Sequence, residues 1–245
     1  LTCAGTPRTF TITVNPNPDL VIVADPGTVL CEGDPTLLTV RVGSSSPVGT
    51  LYNQTGVAGN GSPSQVFEPA NAAFSSQAAD DFTVPAGTTW TVTQITTLGI
   101  GTGVPTSVNV FFYANSAGNL PGAAIASFNN VATFVRTGAN YTVTLPSSVT
   151  LAAGTYWMSF QVNMSFATDG QWFWGNYGAA NIGNEYAWQN PGGGFATPCT
   201  NWGYGGTGCN VGGGPANRNN IFTITGTSIV GGAPLPGGYT FLWTP

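Results

Sequence analysis

Hydrophobic and polar positions alternate with a period of two along much of this chain. Phe10, Ile12 and Val14 alternate with Thr9, Thr11 and Thr13, and Leu38, Val40 and Val42 with Leu37, Thr39 and Arg41. Trp90 and Val92 alternate with Thr91 and Thr93, and Tyr141, Val143 and Leu145 with Thr142 and Thr144. The longest run sets Tyr156, Met158, Phe160, Val162 and Met164 on one face and Trp157, Ser159, Gln161, Asn163 and Ser165 on the other. Successive side chains of a strand point to opposite faces, so these runs predict half-buried antiparallel strands. The run 156–164 is expected at the centre of its sheet, with the Tyr156 face buried. Turns marked by Pro and Gly separate the runs: "VPAGTTW", "NLPGAA" and "LAAGTY". No window sustains a 3.6-residue period, and the usual helix formers are scarce. The pattern predicts an all-β sandwich in which two sheets each hide one face.

Composition narrows the chemistry. Only 5% of the 245 residues are charged, net charge is −5, and there is no histidine. The four basic residues are all arginines: Arg8, Arg41, Arg136 and Arg218. Without His there is no imidazole base for a Ser or Cys nucleophile, and no imidazole metal ligand. Without Lys there is neither a Schiff base nor an ammonium to attract nucleic acid. The thin negative charge gives no anchor for nucleic acid or an anionic membrane. The longest apolar stretch, near Leu20 to Ala24, is of strand length, so no membrane insertion is expected. The 35 Gly and 18 Pro are offset by 14 Phe, 8 Tyr and 7 Trp, enough apolar mass for a packed core. The chain starts at Leu1 without Met and reads as a mature or internal piece of a longer polypeptide.

Four cysteines remain: Cys3, Cys31, Cys199 and Cys209. None forms a Cys-x-x-Cys pair. Cys199 and Cys209 enclose the loop "CTNWGYGGTGC", whose glycines let it turn back tightly. A disulfide between them is the simplest reading, against two buried free thiols, and it implies an oxidising, extracellular setting.

Certain segments resemble known families. "CAGTPRTFTITVNPNP", "VLCEGDPTLLTVRV" and "GGYTFLWTP" resemble parts of the immunoglobulin-like (PKD-like) repeats of very large bacterial surface and secreted proteins, common in bacteria with type IX secretion. In such repeats a Tyr-x-Phe-x-Trp strand like 239–243 follows the second strand closely; here it comes almost 200 residues later. The resemblance implies an Ig-like repeat split by an inserted domain. Residues 1–15 would be the final strand of a preceding repeat, 16–49 the first part of an Ig-like domain, 50–226 the insert and 227–245 the continuation. The insert itself, with "AADDFTVPAGTTWTVTQI", "VNVFFYANSAGNLPGAAIASF" and "GQWFWG", resembles a β-sandwich module of secreted bacterial proteins, which implies a jelly-roll-type fold and no transferable catalytic residues. The Ig-like portions amount to about half of the roughly 100 residues such a domain needs. The resemblance therefore implies that the two ends belong to different repeats. Cys31 would pair with a Cys3-like residue elsewhere, and the exposed strand edge would take a neighbouring copy or repeat as partner.

Two constellations could carry function. Trp172, Trp174, Tyr177, Trp188, Trp202 and Tyr204 lie in a segment rich in Gly and Asn. Flat rings can stack on sugar faces while amides bond hydroxyls, so these residues form a candidate glycan-binding face. Packing of Gly-rich loops onto the sandwich is the competing reading, and subunit contact a third. Asp80 and Asp81 precede a strand run; they are either calcium ligands with backbone carbonyls or turn caps, the latter preferred. A glycosidase pair of Asp81 with Asp169 or Glu185 is conceivable, but no spacing selects it. No catalytic residue is assigned, no enzyme is expected, and the only cofactor considered is calcium. The expected function is structural and adhesive: a repeat unit of an extracellular fibre, filament or giant adhesin, partnered by copies of itself. The alternatives are a carbohydrate-binding module and an accessory domain of a secreted hydrolase.

Overall fold

The computed structural model describes residues 20–25, 37–177, 182–214 and 218–234. The expected strand 9–14, Cys3, Cys31 and the strand 239–243 lie outside the described residues. The chain divides into two compact units, one of residues 45–230 and one drawn from the chain on either side of it.

In the flanking unit, β1 (Leu20–Asp25) pairs antiparallel with β2 (Leu37–Ser45), in a register running from Leu20 opposite Val42 to Asp25 opposite Leu37.

The larger unit is almost wholly β. It begins with β3 (Gly49–Gln54), β4 (Asn60–Pro63) and β5 (Gln65–Val66), followed by a 3₁₀ turn over Pro69–Phe74. Next come β6 (Gln77–Val84), β7 (Thr88–Thr97), β8 (Gly99–Ile100), β9 (Ser107–Asn115) and β10 (Pro121–Val131). Then follow β11 (Val135–Thr137), β12 (Asn140–Leu151), β13 (Gly154–Asn163), the single helical turn α1 (Phe166–Asp169) and β14 (Phe173–Tyr177). The last are β15 (Ala187–Gln189), β16 (Gly203–Tyr204), β17 (Asn219–Asn220) and β18 (Phe222–Pro234).

Within this unit one sheet runs β3-β18-β7-β12-β11 and a second β10-β9-β13-β6-β15-β16. A small third sheet sets β14 between β4, β8 and β17. The long sheets hide their apolar faces from water. Trp90, Val92, Ile95, Tyr141, Val143, Phe222 and Ile224 come from the first, and Phe82, Val110, Phe112, Met158 and Phe160 from the second. Burial of this apolar surface is the main stabilising term.

On β7 the alternation that predicts the strand breaks, for a visible reason. On β7 the buried positions are Trp90 and Val92, then Ile95 and Thr97. Thr225 pairs with Gln94 while Gly226 pairs with Val92, so Thr93 is an extra residue. Such a bulge reverses the facing of everything beyond it.

β13 is central, between β9 and β6, and Met158, Phe160 and Val162 are fully buried. Met164 is buried too, just past the strand end. Tyr156 departs from expectation: it is half-buried near the strand's beginning, where its ring packs on Phe82. The opposite face departs further. Trp157, Ser159 and Gln161 are buried as well, because Ala187, Tyr113, Leu120 and Trp202 close over Trp157. A strand covered on both faces is no longer half-buried, which periodicity alone does not reveal.

Cys199 and Cys209 form a disulfide, with S–S 2.07 Å and Cα–Cα 5.5 Å. Gly203 lies against it; a Cβ there would come within 2.8 Å of Cys199 Sγ, so only glycine fits. No helix among the described residues is long and apolar enough to cross a membrane.

Candidate functional site

Three places in the larger unit gather aromatic or polar side chains. The first is the tryptophan segment. Trp172, Trp174 and Trp188 are core residues, at most 1% exposed. Each indole N–H is spent on a backbone carbonyl: Trp172 on Ala139, Trp174 on Ile221 and Trp188 on Pro63, at 2.8–2.9 Å. The stacking role expected of these three is corrected by their burial, since no ring face is open to a sugar. A loop-rich sandwich needs large side chains to fill its interior, and Trp serves where its N–H finds an acceptor. Tyr177, Trp202 and Tyr204 are half-buried. Trp202 meets Tyr113 edge-on at 5.8 Å, and the Tyr204 hydroxyl donates to the Asn119 carbonyl. The six rings therefore do not form one face.

The second place is built on Asp80 and Asp81. Both lie inside β6 rather than in a turn, and both are buried. Asp80 Oδ2 accepts from Gln54 Nε2 and from the Asn220 N–H, each at 2.6 Å, and Oδ1 accepts from the Asp81 N–H. The Tyr52 hydroxyl donates to Gln54 Oε1 at 2.6 Å. Asp81 accepts from the backbone and side-chain N–H groups of Asn184 at 2.9 Å. Gly183, at φ +78°, carries the chain so close that a Cβ would meet the Asp81 carboxyl. Neither residue caps a turn, and the calcium reading is not supported. The carboxyl oxygens point at N–H donors, and no cluster of three potential ligands exists among the described residues.

Burial, and then the neighbouring Asp81 charge, raise the Asp80 carboxyl well above the ordinary range. Burial pushes Asp81 up to about 6, against the pull of its Asn184 bonds. Burial and the two carboxyls raise the Tyr52 hydroxyl. Glu185 is buried and accepts from Thr207 N and Oγ1, tying down the disulfide loop. Asp169 accepts from Thr168 Oγ1 on α1. These carboxyls hold local structure, and nothing in their bonding pairs Asp81 with either of the other two.

The third place was not legible in sequence. Phe67, Phe74, Phe166 and Phe195, with Asn71 and Gln171, line a cavity of about 270 Å³. Phe67 stands 6.0 Å from Phe166 and 6.5 Å from Phe74, and Phe74 meets Phe195 edge-on at 5.4 Å. Phe74 is 40% exposed and Phe166 49%. Two polar clamps hold the walls. Glu68 accepts from the Phe166 and Ala167 N–H groups and from Asn71 Nδ2, and these bonds hold its carboxyl below the ordinary range. The buried Asn190 donates to the Ala73 and Ser75 carbonyls and accepts from the Phe195 N–H. Four phenylalanines drawn from separate stretches show no common period. The only sequence signal is apolar rings in the unpatterned stretches around Pro69 and Ala167.

No protein-family model matches the chain, and no curated protein matches it.

Proposed function

We propose that the chain is a structural, adhesive unit of an extracellular or cell-surface fibre. In this reading an Ig-like repeat carries a jelly-roll-type sandwich, inserted between its strands and displayed to the surroundings. The observation that supports it lies at the base of the sandwich. β3 and β18 run antiparallel, with Gly49 opposite Gly226 and Gln54 opposite Phe222. Ser46 N–H donates to the Ser228 carbonyl at 2.8 Å, and Ser228 N–H to Ser46 Oγ at 2.9 Å. The chain leaves the sandwich beside the point where it arrives. Adjacent ends are what insertion into another domain requires, since the host strands need not be parted far. The Cys199–Cys209 bridge suits an oxidising compartment. The absence of His and Lys removes the commonest catalytic bases and nucleophile partners.

Antibodies raised against residues 45–230 test this reading. Immunogold microscopy of intact source cells should label the surface or shed filaments. Label seen only in the interior of permeabilised cells would contradict it.

A further inference from the structure

The phenylalanine-lined cleft is a concave place of the sandwich where open apolar faces meet an unsatisfied polar group. We propose that it binds a single neutral pyranose ring, the end or a side branch of a glycan. Three observations select this ligand class. The first is size: about 270 Å³ lies just below the range of pockets that hold drug-sized molecules, and suits one ring.

The second is polarity. Among the described residues no charged side chain lines the cavity; the walls are four phenyl rings and two carboxamides. An anion would lose its hydration and gain no counter-charge, and the Glu68 carboxylate beside Asn71 is already engaged by the Asn71 amide and the Phe166 and Ala167 N–H groups. The C–H face of a pyranose is a neutral partner for a phenyl ring, and its hydroxyls are partners for amides. The third is Gln171. Its Nε2 is shut off from solvent and has no hydrogen-bond partner. A buried donor left unpaired is costly, and an apolar peptide side chain in the cleft would leave it so. A turn of the half-buried carboxamide brings this donor into the cleft, where a sugar oxygen relieves it.

The walls are also held in place beforehand. Glu68 fixes the start of α1, and Asn190 fixes Phe195 against the 3₁₀ turn, so little ordering remains for binding to impose. This moves the glycan site away from Trp172, Trp174 and Trp188. It does not depend on the fibre reading, since the cleft lies wholly within residues 45–230.

The test uses the whole chain on an array of neutral glycans, followed by titration of the responding methyl glycosides by saturation-transfer NMR. Phe166→Ala and Phe74→Ala remove exposed rings, so the fold should survive; Gln171→Met removes the donor while keeping the bulk. Expected is binding of at least one neutral glycan, weakened tenfold or more by each ring variant and severalfold by Gln171→Met. Trp202→Ala, on the other side of the sheet, should leave it unchanged. Failure of every neutral glycan to bind, or binding indifferent to all three cleft variants, would overturn the proposal. So would capture of Phe- or Leu-bearing peptides, abolished by Phe166→Ala, with no glycan response; the cleft would then be a side-chain pocket. Surface labelling of cells could succeed or fail independently of any of these outcomes.

Discussion

Individual residues carry more structural work here than their chemistry suggests. Phe160 is fully buried on β13, with Tyr141 at 5.5 Å and Trp172 at 5.3 Å. Phe160→Ala should cost about 3–5 kcal/mol in denaturant unfolding; a loss below about 1 kcal/mol would place the ring at the surface. The carboxyls make a second residue-scale prediction. Asp80 and Asp81 hold their protons more tightly in the folded chain than in the unfolded one. Between about pH 4 and 6 the folded state therefore binds more protons, and stability rises as pH falls through that window. Glu68 opposes this only in and below the ordinary glutamate range. The melting temperature should rise by several degrees from pH 7 to pH 5, and Asp81→Asn should flatten the rise. A melting temperature that falls over that interval would refute the account of these carboxyls. The reason that Trp172, Trp174 and Trp188 misled the sequence reading is plain at this scale. Clustering along the chain does not distinguish a ring that faces solvent from one whose N–H reaches Ala139 or Pro63.

At the scale of elements, period-two runs were a good guide wherever one face meets the core. β7, β12 and β13 lie where the alternation put them, and the centrality of β13 followed from its length and aromatic content. Three features escaped. The Thr93 bulge lies in the pairing with β18 and leaves no local trace. β3 falls in a stretch, 43–65, rich in Gly, Ser, Asn and Pro, and becomes a strand because β18 offers it an edge. The cover over Trp157 depends on a loop from far along the chain. That loop is closed by the disulfide, whose removal in a Cys199→Ala, Cys209→Ala double variant should cost on the order of 2–3 kcal/mol in the chain-entropy model. Mass spectrometry of a non-reduced digest should recover the two cysteines in one linked peptide; free thiols at both would contradict the bridge.

On the largest scale described, residues 45–230 form a sandwich with its two ends clamped side by side and a cleft held open by Glu68 and Asn190. Its interior is closed largely by tryptophan, and its carboxyls are engaged in holding loops. The split repeat proposed above rests on resemblance, because the strands described on either side of residues 45–230 are too few to specify a domain by themselves. The insertion is nevertheless a physical claim with a direct test. Residues 45–230 expressed alone should unfold in one cooperative transition by circular dichroism. Their melting temperature should lie within about 4 °C of the corresponding transition in the whole chain, the shift expected for a change near 1 kcal/mol at this size. A fragment that is unfolded, or that melts without cooperativity while the whole chain melts sharply, would show that the sandwich is not a self-contained insert.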